Sequence, residues 1–291
     1  MDLTEMLYKI SRFLHWALVW LSDLTAGILA HRLFRQHFHL LLSVLVLFGP
    51  LLSFWVSKYS IFCNKNHYLY RLFLQSCFGW TCIFGGSFVF LLSFSISNSI
   101  LHSLRHLLPF AVSGSLWTLL RLLLTFLVDA SGSCFEPLIS PNDAHRNPEE
   151  LLNFKEGPLL LLRGVESKEA CLKGGLKWQG CEVSHEILIL TFCCLLLSEE
   201  ISVFWSFIGF GKPLGVPLRI IFMLCVFLMS LWMFLILCLL AHFPLFPSQL
   251  VGGALGYLGW KGLYKGWGGC KPGWCCLGIT GCQSSGHYTV N

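Results

Sequence analysis

The sequence predicts an all-α integral membrane protein, a multi-pass bundle of about six transmembrane helices with an extra hydrophobic segment at the N-terminus. Of its 291 residues, 55% are hydrophobic and only 12% are charged, whereas soluble domains carry about 25% charged residues. The mean hydropathy is +0.68. A surface this poor in charge excludes a soluble globular domain. The net charge of +5 is small and dispersed, which suits membrane-protein loops better than a nucleic-acid-binding surface.

Apolar segments recur along the chain at lengths that suit spanning helices, which need about 20 residues to cross the hydrocarbon core. One apolar segment, residues 250–260, is a weaker candidate for a spanning helix because it is short and glycine-rich. An N-terminal stretch at residues 13–30 is apolar but contains Asp23. It is either an extra span or an interfacial helix, and Asp23 is accordingly either a functional acid or the mark of a helix at the interface. The clear candidates are residues 38–56, 73–95, 107–128, 187–208 and 220–243.

Basic residues between these segments indicate the orientation, because cytosolic loops are enriched in lysine and arginine. A consistent alternation results when four basic groups are cytosolic: Arg32 with Arg35, Arg105, Lys212 with Arg219, and Lys261 with Lys265 and Lys271. The C-terminus is then cytosolic, and the long polar insertion is lumenal. The predicted parts are an N-terminal segment (1–37), first transmembrane helices (38–128), a lumenal loop (129–183), further transmembrane helices (184–260) and a cytosolic Cys-rich tail (261–291).

Four of the fourteen cysteines fall in the predicted lumenal loops, where an oxidising environment lets disulfides persist. They are Cys63, Cys134, Cys171 and Cys181. Four cysteines allow three pairings, and spacing alone does not choose among them or exclude free thiols.

The tail also contains cysteines, among them Cys275 and Cys276. Cytosolic cysteines beside the membrane suit S-palmitoylation, whereas their spacing differs from the paired C-x-x-C arms of zinc sites. We therefore predict acylation or unmodified thiols here, and no metal.

Several uncommon strings occur in order between residues 41 and 267. They are FGPLL at 48–52, GWTC at 79–82, SGSCFEPL at 131–138, LTFCCLLLSEE at 190–200 and VGGALG at 251–256. Together they resemble the fat storage-inducing transmembrane (FIT) protein family, and most closely its type-one branch.

The resemblance implies a multi-pass protein of the endoplasmic reticulum membrane. Such a protein binds diacylglycerol and triacylglycerol and promotes lipid droplet formation and fat storage, without a cofactor. Cys134 lies in the SGSCFEPL string, and Cys171 and Trp178 are also part of the resemblance. The resemblance implies that Cys134 and Cys171 form the lumenal disulfide. A transporter, in contrast, is expected to show internal repeats with broken helices, and no repeat is evident.

The FIT family also resembles lipid phosphatases distantly, which implies an alternative function as a fatty acyl-CoA diphosphatase with a lumenal two-histidine site. In this alternative, the transmembrane helices of residues 184–260 correspond to the helices that contain the catalytic site. The family positions of the two histidines fall on Glu186 and Pro244, while His185 lies one residue early and His242 two residues early. A shift of one residue turns a helical side chain by about 100°. We therefore predict weak or absent phosphatase activity.

Glu199 and Glu200 follow the apolar run of residues 187–197. Acids deep in a bilayer are costly and are usually functional, which favours a lipid-binding or structural role. They could equally mark the end of the helix at the cytosolic boundary.

Overall fold

The structure is a computed structural model that describes residues 3–55, 67–137, 159–161, 168–174, 177–180, 183–209, 215–243 and 246–266. Its longer helices are α1 (Leu3–Ala30), α2 (Arg32–Phe48), α3 (Cys77–Ser97), α5 (Leu108–Ser131), α7 (His185–Ile201), α9 (Val216–His242) and α10 (Phe246–Lys261). Three shorter helices are α4 (Ile100–Arg105), α6 (Lys168–Lys173) and α8 (Phe204–Gly209). The predicted class, a helical multi-pass membrane protein, is confirmed.

Five helical segments in the described part of the chain are long and apolar enough to cross a membrane: Thr4–Ala30, His37–Phe54, Cys77–Ser97, Ile100–Ser131 and Val216–His242. The other two predicted spans form α7 and α10, which have 17 and 16 residues, fewer than the roughly 20 that a lipid-facing helix needs. Residues 187–197 of α7 are all buried. A short helix is tolerated there because α7 is surrounded by protein and not by lipid.

The predicted span of residues 187–208 is wrong as a single helix. Helix α7 ends at Ile201, and α8 begins at Phe204 after a turn. The Ser202 hydroxyl donates to the backbone carbonyl of Glu199 over 2.8 Å. The break directly follows the polar residues Ser198, Glu199 and Glu200, which lie in the last turn of α7.

Aromatic side chains fill the core around the α8–α9 region. Phe204 stacks on Phe222 with a centroid distance of 4.1 Å, and Phe88 of α3 meets both rings. Trp232 is fully buried, and its indole N–H donates to the Thr81 hydroxyl over 3.1 Å. These contacts join α3 and α9 along most of their length.

Two glycines bring α10 unusually close to α7. A Cβ atom at Gly252 would lie 2.5 Å from the carbonyl oxygen of Ser184, and one at Gly256 would lie 2.7 Å from that of Leu188. Small residues of this kind allow helix backbones to approach in membranes. The glycines of the VGGALG string therefore allow α7 and α10 to pack closely.

Residues 117–183 form a second compact unit. In it, the strand β1 (Ser133–Pro137) lies between β2 (Leu159–Leu161) and β3 (Lys177–Gln179) in an antiparallel sheet. Cys134 of β1 and Cys171 of α6 are joined by a disulfide with a Cα–Cα distance of 5.8 Å. The predicted loop thus contains a small sheet that the sequence analysis did not anticipate, since strands of three to five residues show no clear alternation.

Candidate functional site

The start of α7 contains the first candidate catalytic residue. Ser184 caps the helix, and its hydroxyl accepts a hydrogen bond from the backbone N–H of Ile187 over 3.4 Å. His185 is the first helical residue and Glu186 the second, and both are half-buried. His185 therefore lies at a helix N-terminus, where exposed N–H groups favour anions. Glu186, in the family's histidine position, places a carboxylate in that same turn.

His242 is the last residue of α9 and is half-buried. The side-chain amide of Gln249 donates to the carbonyl oxygens of Phe243 and Leu239 over 2.6 and 3.3 Å. The bond to Phe243 satisfies a carbonyl that the helix end would leave open, whereas the Leu239 carbonyl also accepts the backbone N–H of Phe243 over 3.0 Å. Pro244, the family's second histidine position, lies outside the described residues.

Hydrogen bonds join the start of α7, the end of α9 and the start of α10. The N–H of Ser184 donates to the carbonyl of Ser248 over 3.1 Å, which joins the starts of α7 and α10. Gln249 in turn joins the start of α10 to the end of α9. His185 and His242 consequently lie at the same end of the helix bundle. A two-histidine site requires this arrangement, although the arrangement alone does not supply the chemistry.

Glu199 and Glu200 lie at the opposite end of α7. Glu200 is only 2% exposed, and the Tyr264 hydroxyl donates to its Oε1 over 2.6 Å. Glu199 is half-buried in the last turn. The two acids therefore lie at the end of α7, and Glu200 joins this end to the π-helical segment Gly262–Gly266 that follows α10.

An ion pair that the sequence did not predict joins α1 and α9. The Arg219 guanidinium donates to Asp23 over 2.5 Å, to the Val19 carbonyl over 3.4 Å and to the Ser22 hydroxyl. Asp23 is thus a structural partner of Arg219, and Arg219 is buried in a helix instead of lying in a cytosolic loop. The acid in an apolar segment was a signal for a partner, but it could not identify which residue that partner is.

The structure also contains two spaces between helices that the sequence did not predict. A surface groove of about 760 Å³ lies between α1, α2 and Trp205. A smaller cleft of about 200 Å³ lies between α2, α7 and α10. We call them the groove and the cleft. The groove is lined largely by Leu24, Ile28, Phe34, Phe38, Leu41 and Trp205, and also by Asp23, His31 and His37.

Some predicted residues fall outside the described parts of the chain, namely Cys63, Cys181, Cys275 and Cys276. Within the described parts, no three His, Cys, Asp or Glu side chains are grouped closely enough to hold a metal ion.

Long apolar helices around the buried α7 define this chain as a multi-pass helical membrane protein. It is 54% identical over 269 residues to fat storage-inducing transmembrane protein 1 of Danio rerio, which covers 92% of this chain and 91% of the relative. Identity to the Homo sapiens protein of the same name is 35% over 239 residues, or 82% and 76% of the two chains. The chain therefore belongs to the fat storage-inducing transmembrane protein family, on its type-one side, as the sequence strings predicted.

A more distant relative is the Xenopus laevis protein named acyl-coenzyme A diphosphatase FITM2, which is 28% identical over 241 residues, covering 80% of this chain and 82% of the relative. No protein-family model matches the chain. No solved structure matches it either.

Proposed function

We propose that this protein binds diacylglycerol and triacylglycerol in the endoplasmic reticulum membrane and promotes lipid droplet formation and fat storage. The groove between α1 and α2 is the observation that carries the proposal. Its volume of about 760 Å³ falls within the roughly 300–1,000 Å³ of ligand sites, which are mostly apolar. The name of the type-one relatives, fat storage-inducing, supports the same function.

The exposure of the groove walls favours a ligand that arrives from within the membrane. Leu24, Ile28, Leu41 and Trp205 are each about half exposed, from 45% to 56%. These side chains lie on helices that are apolar enough to span a bilayer, or beside them. A lipid could therefore enter sideways with its acyl chains against Phe34 and Phe38, without crossing an aqueous phase.

The orientation of the chain is part of the proposal. Arg105 and Lys261 are exposed at helix ends and support a cytosolic location for those ends by the positive-inside rule. Arg219 is not counted with the loop residues, because it is buried within α9 and paired with Asp23. The C-terminal tail remains cytosolic in this arrangement.

Purified in detergent, the protein is expected to bind radiolabelled triolein saturably. Ile28→Trp, which fills the groove, should weaken binding at least about threefold, or about 0.7 kcal/mol. Leu14→Trp is the matched control, since Leu14 also lies on α1 and is similarly exposed at 60% but does not line the groove. Expression in cells should also increase droplet number. Well-folded protein that fails both assays would refute the proposed function.

The acyl-CoA diphosphatase alternative is favoured by the shared location of His185 and His242. We nevertheless expect cleavage of oleoyl-CoA by the wild type at or near background. The Glu186 carboxylate would repel a phosphate at the α7 start, and Pro244 has no proton to donate. Loss of one general acid alone lowers a rate by about 10²–10⁴. Robust turnover that His185→Ala or His242→Ala abolishes would contradict this expectation.

A further inference from the structure

Helix α1 has two parts that differ in burial. Residues 4–16 are all exposed, and we call them the arm. The buried side chains between residues 4 and 30 are Ser22, Ala26 and Leu29. At 1.5 Å per residue the arm is roughly 20 Å long. Because none of its side chains is packed into the described helix bundle, its surroundings are lipid or water.

The second part of α1 packs at one end of the bundle. Asp23 pairs with Arg219, the fourth residue of α9. The Thr25 hydroxyl lies 3.6 Å from the sulfur of Met223, the eighth residue of α9. The ring of Trp205, in the helix α8 that follows α7, lies against the same part of α1. The start of α9 and the end of α7 are at the end of the bundle that is cytosolic in the proposed orientation.

The charges of α1 argue against a membrane span. The arm contains Glu5, Lys9 and Arg12, and charged side chains that face hydrocarbon are costly. The arm precedes the apolar part of α1, whereas Arg32 and Arg35 follow it. A spanning α1 would place one of these two basic groups in the lumen, against the positive-inside rule. Both groups are cytosolic when α1 stays on the cytosolic side.

The arm has the pattern of a helix that lies in the membrane surface. At about 100° per residue, five of its apolar side chains fall within an arc of about 120°, and the charged side chains lie outside that arc. Trp16 and Trp20 flank this apolar face with ring centroids 6.5 Å apart, and indole rings favour the headgroup level. Such helices bury their apolar face at the boundary between headgroups and acyl chains. The five side chains are Met6, Leu7, Ile10, Phe13 and Leu14.

We propose that the arm lies in the cytosolic leaflet and binds it where the headgroups are loosely packed. Lys9 pairs with Glu5 over 2.7 Å, so Arg12 is the one uncompensated arginine or lysine of the arm and attraction to anionic lipid is weak. Binding then comes from the apolar face, and side chains as bulky as Phe13 and Leu14 enter a leaflet through gaps between headgroups. Lipids with small headgroups, such as diacylglycerol, open these gaps. The inference uses the proposed orientation but not the proposed neutral-lipid ligand.

The first test locates the N-terminus. The chain contains no Asn-x-Ser/Thr acceptor for N-glycosylation, so an added acceptor reports only its own side of the membrane. In full-length protein expressed in cells, acceptors on flexible spacers at the N-terminus and at the C-terminus should both stay unmodified. An acceptor inserted between residues 129 and 183 is the positive control. Glycosylation at the N-terminus alone would show that α1 spans the membrane and would overturn the inference, whereas glycosylation at the C-terminus would overturn the orientation.

The second test measures how the leaflet holds the arm. Hydrogen–deuterium exchange is followed by mass spectrometry in full-length protein in lipid nanodiscs. An arm that leaves the leaflet should exchange faster, because a helix of this length is marginal in water. Exchange in residues 4–16 should therefore be slower in dioleoylphosphatidylcholine with added dioleoylglycerol than in dimyristoylphosphatidylcholine. Added phosphatidylserine should change it little.

Phe13→Gln should speed exchange in the arm at least about tenfold, since burial of one Phe side chain contributes that much to binding. Tyr8→Gln is the matched control, because Tyr8 is similarly exposed, 62% against 64% for Phe13, but lies outside the apolar face. Helices α7 and α9 should exchange as in wild type in both variants, which shows that the bundle is folded. Equal exchange of the arm in the two variants, no difference between the two phosphatidylcholine membranes, or protection that depends on phosphatidylserine would each overturn the inference.

Discussion

Gly252→Val is expected to destabilise the helix bundle strongly. The added Cβ would lie 2.5 Å from the carbonyl oxygen of Ser184, and a backbone atom cannot rotate away as a side chain can. Overpacking typically costs about 1–3 kcal/mol, and sometimes more. Because the same carbonyl belongs to the cap of α7, the change should also disturb the end that contains His185 and His242. Thermal unfolding in detergent, followed by tryptophan fluorescence, measures the effect.

Gly79→Ala is the matched control for this prediction. Gly79 lies in α3, and a Cβ there would have no atom within 4 Å. Alanine is favoured over glycine in a helix by about 0.5–1 kcal/mol, so this variant should be as stable as wild type or more stable. If Gly252→Val melts at the wild-type temperature, α7 and α10 are farther apart than the structure places them.

Cys134→Ser should open the unit of residues 117–183 without unfolding the remaining helices. The disulfide joins residues separated by 37 positions, and a closed loop of this length contributes about 4 kcal/mol by the chain-entropy estimate. Limited proteolysis should therefore cut the unit of residues 117–183 much faster in the variant. Cys82→Ser, which alters a free and half-buried cysteine, should leave the cleavage rate unchanged.

Peptide mapping under non-reducing conditions gives the pairing itself. Cys134 and Cys171 should be recovered in one linked peptide. Recovery of either residue linked to Cys63 or Cys181 would show that this pairing is wrong, and equal proteolysis rates with and without the disulfide would refute its stabilising role.

Hydropathy was sufficient to predict the class of protein and the approximate positions of most helices. It failed at the end of α7. Residues 187–208 have the length of one span, yet the chain turns after Ile201, just beyond the polar residues Ser198, Glu199 and Glu200. Hydropathy averaged over the whole segment does not reveal such a break. The start of α2 before Phe38 was missed for the related reason that Arg32 and Arg35 lower the local hydropathy.

The candidate sites were less predictable than the helices. His185 and His242 could be located from the family strings, and their common end follows from the alternation of spans. The groove and the cleft could not be predicted, since each combines side chains of the N-terminal half of the chain with side chains of helices after residue 184. Thr191 of α7 illustrates the limit. Its buried hydroxyl has no hydrogen-bond partner among the described residues, whereas the hydroxyls of Thr25, Thr81 and Thr125 in other helices are satisfied.

The bond between Asp23 and Arg219 has a consequence for the order of assembly. The two residues are 196 positions apart, and ribosomes add about 5–20 residues per second. After Asp23 is synthesised, about 10–40 s therefore pass before Arg219 follows it. During that interval the nascent first helix contains an acid whose basic partner does not yet exist. The N-terminal helix can form this ion pair only after about three quarters of the 291 residues have been translated, so its final packing against α9 is a late step of assembly.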